Sequence, residues 1–208
     1  MKMKHYIAVA AICLMATNSV NASLVLVPSA FEDSVPNSGN DFNTSLTSLG
    51  FDSILSGQIK ATSAGTVTFY YHASESGWNN QFLANGSVLH TETGNTPWDT
   101  AGLLIGSIAV SAGEVLNLAF DSNNGPLHSI GTAEFGIFAN LAGGTFLSNG
   151  RAYFGHDDNG AGPDDNHDDI VISASFTNGG GAIVPEPGTA MVWGLLSLTG
   201  LIYIRRKI

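Results

Sequence analysis

Cysteine is almost missing from this chain of 208 residues, which has only Cys13. Cys13 lies in an N-terminal stretch read below as removable, so the remainder makes no disulfide even in an oxidising compartment. Basic side chains are nearly as scarce. Between residues 23 and 184 there are two, Lys60 and Arg151, against 16 acidic ones, a formal −14 where the whole chain carries −10. A surface of that sign repels phosphate backbones and anionic lipid, which excludes nucleic acid as a partner, and it attracts cations. There is no long run of helical period, no βαβ rhythm and no repeat of fixed length. The common catalytic signatures are missing too. No H-E-x-x-H pair, G-x-S-x-G elbow or cysteine nucleophile occurs, and His72, His90, His128, His156 and His167 show no metal-ligand spacing. The chain is not expected to be an enzyme.

What is present is strand-forming sequence punctuated by turns. The run 65–73, "GTVTFYYHA", alternates, with Val67, Phe69 and Tyr71 on one face and Thr66, Thr68 and Tyr70 on the other. In 169–176, "DIVISASF", Ile170, Ile172, Ala174 and Phe176 share a face. Further runs cover 23–27, 87–92, 102–110, 114–120, 133–141 and 151–156. Asn85-Gly86 marks a hairpin turn before 87–92, and Ser111-Ala112-Gly113 predicts a second hairpin between 102–110 and 114–120. About eight to ten strands at this spacing predict an all-β fold, an antiparallel β-sandwich, with the jelly roll as its finer form.

The two ends read differently from the body. Lys2 and Lys4, the apolar stretch Tyr6–Ala16 and the small-residue site Val20-Asn21-Ala22 compose a secretory signal peptide over residues 1–22. The β-sandwich domain follows over 23–176, and a Gly-rich linker over 177–184. Ala190 to Ile204 is an uncharged apolar run of 15 residues. As a helix it covers about 22 Å of a hydrocarbon core of roughly 30 Å. Arg205, Arg206 and Lys207 follow at once, a basic flank that stays on the cytoplasmic side of a transmembrane helix.

Val184-Pro185-Glu186-Pro187-Gly188-Thr189, then the apolar run, then the basic cluster, resembles the PEP-CTERM sorting signal of Gram-negative bacteria, over about 25 residues numbered 184–208. The resemblance implies an exosortase as processing partner, which cuts near Pro185-Glu186-Pro187. It also implies a transient inner-membrane anchor and delivery to the cell surface or extracellular matrix, often alongside exopolysaccharide. A permanent single-span anchor is the alternative.

Six carboxylates crowd into the 13 residues from Asp157 to Asp169: Asp157, Asp158, Asp164, Asp165, Asp168 and Asp169, with Asn159, Asn166, His156 and His167 among or beside them. Two unit charges 4 Å apart repel by about 4 kcal/mol near a protein surface, so such a loop calls for a cation. Hard oxygen donors at this density suit Ca²⁺, which takes six to eight of them. Asp157, Asp158, Asp164, Asn166, Asp168 and Asp169 are the candidate ligands. In an extended chain Asp164, Asn166 and Asp168 face one way, and Asp165, His167 and Asp169 the other. No Glu stands where an EF-hand needs one. The stretch 164–173 resembles instead the acidic strand-entry motif of secreted bacterial β-domains with calcium-like sites, with His167 in place of the usual aromatic and Asp168 in place of the usual Asn. A solvated acidic loop is the plainer reading.

Trp78, in the turn with Glu75, Asn79 and Asn80, and Trp98, between Pro97 and Asp99, are candidate glycan contacts or caps on the core. The whole predicts an exported surface or matrix protein with a structural or adhesive role, stabilised by calcium. A carbohydrate-binding or polysaccharide-hydrolysing module is the alternative.

Overall fold

Alternation along the chain resolves into two antiparallel sheets whose apolar faces meet. The structure, a computed structural model, describes residues 23–37, 39–122, 125–158 and 166–178. These all lie in the compact unit Ala22–Ala182, whereas the second unit, Met1–Asn21 with Ile183–Ile208, falls outside the described residues. So do the signal peptide, the Pro-Glu-Pro motif, the apolar run and its basic flank, along with Asp164 and Asp165. Among the described residues no helix is long and apolar enough to cross a membrane.

The strands are β1 (Leu24–Ser34), β2 (Ser53–Ala61), β3 (Gly65–Ala73), β4 (Asn80–Ala84), β5 (Ser87–Thr91), β6 (Leu103–Val110), β7 (Leu118–Ser122), β8 (Leu127–Ser129), β9 (Phe135–Ala139), β10 (Leu147–Ser148), β11 (Arg151–His156) and β12 (Ile170–Asn178), with one short helix, α1 (Asn43–Ser48). The larger sheet runs β1-β2-β9-β11-β12-β3-β6, with β10 also paired to β11; the smaller runs β5-β4-β7-β8.

The main core lies between the sheets. Val67, Phe69 and Tyr71 of β3 and Ile170, Ile172 and Ala174 of β12 pack there with Phe82 of β4 and Leu118 and Phe120 of β7. The expected faces of β3 and β12 are thus the buried ones. A second core covers part of the outer face of the larger sheet. Leu46 of α1, Phe51 and Val35 pack there on Ile54, Ala73, Phe138, Tyr153 and Val171. Burial on both faces explains why β2 has no readable alternation: Ser53, Ile54, Leu55 and Ser56 are all buried.

Asn85 and Gly86 both take positive φ (51° and 74°), so β4 and β5 join through the two-residue turn expected of Asn-Gly. The second expected hairpin is not formed. β6 pairs with β3, and β7 with β4 and β8; after the 111–113 turn, residues 113–116 run along the end of β2 in the larger sheet, and the chain crosses to the smaller sheet just before β7. Leu116 turns into the main core there and Val115 bridges Lys60 of β2. β12 also continues through Thr177 and Asn178, paired with Thr66 and Gly65, two residues into the stretch read as linker.

Candidate functional site

The polar residues gather at the end of the sandwich where β11 ends and β12 begins. The two strands place Asp157 and Asp158 beside Asp168 and Asp169: Asp169 N–H donates to His156 O at 3.1 Å, and Asp158 N–H donates to Asp169 Oδ2 at 2.6 Å. Asp157 N–H in turn donates to Glu134 O at 3.1 Å. Asp157, Asp168 and Asp169 are buried, as are Asn166 and His167. Burial, with the neighbouring charges of Asp158, Asp168 and Asp157, pushes the Asp169 carboxyl up to about 8 against the bond from Asp158 N–H.

The described part of the loop divides its contacts, although His167 at φ 57° departs from the extended chain on which the predicted alternation rests, and Asp164 and Asp165 lie outside the described residues. Asn166 and Asp168 face the turn before α1. Asp41 N–H donates to Asp168 Oδ2 at 2.6 Å, Asn40 Nδ2 to Asn166 O at 2.7 Å and Asn166 Nδ2 to Gly39 O at 3.3 Å. These two candidate ligands therefore clamp residues 39–41 to the end of β12. Asp169 faces the other way, toward Asp158.

His167 fills a notch made by two glycines. It has φ 57°, and its Nε2 meets Ala133 O at 2.7 Å. Gly136 of β9 and Gly155 of β11 are register partners. A Cβ on Gly136 would collide with the His167 ring, and one on Gly155 with its backbone carbonyl and the Phe138 ring.

On the smaller sheet a second polar group faces Asp158. Ser76 Oγ donates to Asp158 Oδ2 at 2.7 Å and Asn80 Nδ2 donates to the same oxygen at 3.0 Å. Asn80 N–H donates to Glu92 Oε1 at 3.1 Å, and Glu92 N–H donates back to Asn80 O at 3.0 Å. Asn80 and Glu92 are buried, and Asn80 Oδ1 and Glu92 Oε2 have no hydrogen-bond partner among the described residues. The Ser74 hydroxyl lies near Glu92, but it donates to Gly94 O. Burial pushes Glu92 up to about 7, and the charge of Asp158 adds to this.

Beside this group His128 Nδ1 and His156 Nε2 lie 2.9 Å apart, with Ser122 Oγ 3.5 Å from the same His156 nitrogen. The His156 ring stacks on Phe120 at 4.8 Å between centroids. Burial holds His156 well below the ordinary histidine range, and the charges of His128 and His167 add to this.

The two candidate glycan contacts have different settings. Trp78 is 50% exposed, and its backbone N–H bonds Ser76 Oγ at 2.9 Å. Trp98 is half-buried among Phe42, His72 and Tyr153, at centroid distances of 5.8, 5.3 and 6.4 Å, where it closes the second core.

Among the described residues no group of three His, Cys, Asp or Glu side chains is gathered as a metal-ligand set. Asp158 and Glu92, from separate elements, are joined through the N–H groups of Asn80. Sequence reading misses Glu92, Asn80 as an acidic-site partner, and the His128–His156 contact. Compared with known protein families and curated proteins, the chain matches no family model and no curated sequence.

Proposed function

We propose that this chain is an exported protein of the bacterial surface or extracellular matrix, delivered by a PEP-CTERM-type tail, with a structural or adhesive role in an exopolysaccharide matrix. The observation that carries this reading is the order of three elements: Val184-Pro185-Glu186-Pro187, the apolar run 190–204, and Arg205, Arg206 and Lys207. A signal peptide over 1–22 starts export, the run 190–204 spans the inner membrane as a helix, and an exosortase releases the body near the Pro-Glu-Pro motif. The body is a two-sheet antiparallel fold. We read it as of jelly-roll type, on the strength of its sheet-to-sheet crossings after β3 and β6. The role is non-enzymatic. Ca²⁺ neutralises the 157–169 carboxylates, among which Asp169 is pushed up to about 8 by burial first and by the charges of Asp158, Asp168 and Asp157 after it.

The test is cell fractionation of a producing strain with and without its exosortase. The expected result is a shortened surface species in the first and a full-length membrane-bound species in the second. A Pro185→Ala, Glu186→Ala variant should behave as the second does. Identical fractionation and size in all three sinks the sorting reading.

One observation favours the carbohydrate-binding alternative. The exposed Trp78 ring stands two residues from Ser76, whose hydroxyl holds Asp158. An aromatic face beside buried polar groups suits a sugar ring.

A further inference from the structure

We propose that the polar end of the sandwich holds a hard divalent cation, Ca²⁺, between Asp158 of the larger sheet's acidic loop and Glu92 and Asn80 of the smaller sheet, so that the ion ties the two sheets together. This rests on the calcium reading above and adds ligands remote from the acidic loop in sequence.

Four observations point to this place. First, Asn80 joins the two carboxylates physically: its backbone N–H is on Glu92 Oε1 at 3.1 Å and its amide nitrogen on Asp158 Oδ2 at 3.0 Å. Second, two buried oxygens here, Asn80 Oδ1 and Glu92 Oε2, accept no hydrogen bond among the described residues. A buried acceptor left without a donor is costly, and a cation satisfies two or more at once. Third, neither basic side chain of the described residues is placed to do so. Arg151 lies over the Tyr70 ring, with its guanidinium carbon 3.9 Å from the centroid, and donates to Ala101 O, while Lys60 lies beside Gly113. Fourth, the donors are carboxylate and amide oxygens alone, the set that selects Ca²⁺ over softer metals. Two carboxylates and one amide leave the remaining positions of a six- to eight-coordinate ion to water.

The test uses the full-length chain in mild detergent at pH 7.5, with Ca²⁺ and Mg²⁺ titrated by calorimetry. Glu92→Gln is the decisive variant, because it keeps shape and removes one charged ligand. Its fold is checked by unfolding in EDTA, where it should melt at or above the wild type. Glu114→Gln, which removes a carboxylate that binds Ser111 N–H after β6, is the control. The expected result is Ca²⁺ binding to the wild type and to Glu114→Gln, weakened at least tenfold in Glu92→Gln. Tb³⁺ emission excited through tryptophan should fall in parallel. Equal Ca²⁺ affinity in wild type and Glu92→Gln overturns the bridging site and leaves a loop-only calcium site standing. No Ca²⁺ binding by the wild type overturns both readings.

Discussion

His128 and His156 share one hydrogen bond inside the sandwich, Nδ1 to Nε2 at 2.9 Å. One of these two nitrogens must donate and the other accept, so both cannot carry a proton at once. The folded-state pKa of His156 is depressed, chiefly by burial. His156 therefore binds fewer protons in the folded chain than in the unfolded one below the ordinary histidine pKa of about 6.5. Its contribution to stability is present above that pH and lost as pH falls. Thermal unfolding between pH 7 and 5 should show this slope, and His156→Gln should flatten it. An unchanged slope in the variant would show that the pair is not its source.

Glu92 acts in the opposite direction. Its folded pKa is raised to about 7, so its contribution is full below its unfolded value and is lost as pH rises through 7. Without added metal, Glu92→Gln should gain about 1–2 kcal/mol over the wild type at pH 8, a figure discounted for partial solvation. The gain should vanish near pH 4.5. Urea titrations at the two pH values measure it, and a gain of equal size at both would refute the assignment.

Gly155 has no room for a side chain, because its Cβ would meet the His167 carbonyl and the Phe138 ring. Gly155→Ala should cost about 2–3 kcal/mol as an overpacked site. Denaturant unfolding checks this, and a change within about 0.5 kcal/mol would mean that His167 can move aside.

Asp168 holds the turn before α1 through the Asp41 N–H. Asp168→Ala should cost about 1–3 kcal/mol, since the bond goes to a charged group. Hydrogen exchange should quicken at Asp41 and Asn40 before it does in β12. Uniform quickening would show that Asp168 supports the whole fold instead.

Calcium should raise the unfolding temperature. An ion bound only by the folded chain contributes about 2.7 kcal/mol at a hundredfold excess over Kd. Unfolding in EDTA, then in millimolar Ca²⁺, then in Mg²⁺ measures this, and Asp158→Asn with Glu92→Gln should abolish the gain. An equal effect of both ions would reduce the loop to diffuse screening.

Legibility in the sequence followed burial on one face. β3 read correctly because Val67, Phe69 and Tyr71 pack inward while Thr66, Thr68 and Tyr70 stay half-exposed; β12 is buried on both faces over 170–174, and its pattern shows only because Ser173 breaks the apolar run on the second face. β2 carries no such signal, since its first half is covered on both faces. The 111–113 turn looks like a hairpin locally, and only pairing with distant strands sends β6 and β7 to different sheets. Glu92 was hidden by a bulge. The Asn85-Gly86 turn alone pairs Phe82 with Leu89 and turns Glu92 outward. The register shift between Phe82 and Leu83 pairs Phe82 with His90 instead, and brings Glu92 inward beside Asn80. The acidic loop was legible as a cluster. Its division, with Asp168 on the turn before α1 and Asp169 on Asp158, was not, because His167 takes a left-handed φ of 57° and the partners come from elements far away in sequence.

β12 lies between β11 and β3, paired with the first from Arg151↔Ser175 to His156↔Ile170 and with the second as far as Gly65↔Asn178. The described chain thus leaves the domain from an interior strand, not from an edge. A pull at residue 178 along the strand loads both flanking ladders in shear, so many hydrogen bonds must fail together. The same pull on an edge hairpin would unzip them one at a time. Force applied at residue 178 along β12 is therefore carried by two strand ladders at once, not by one.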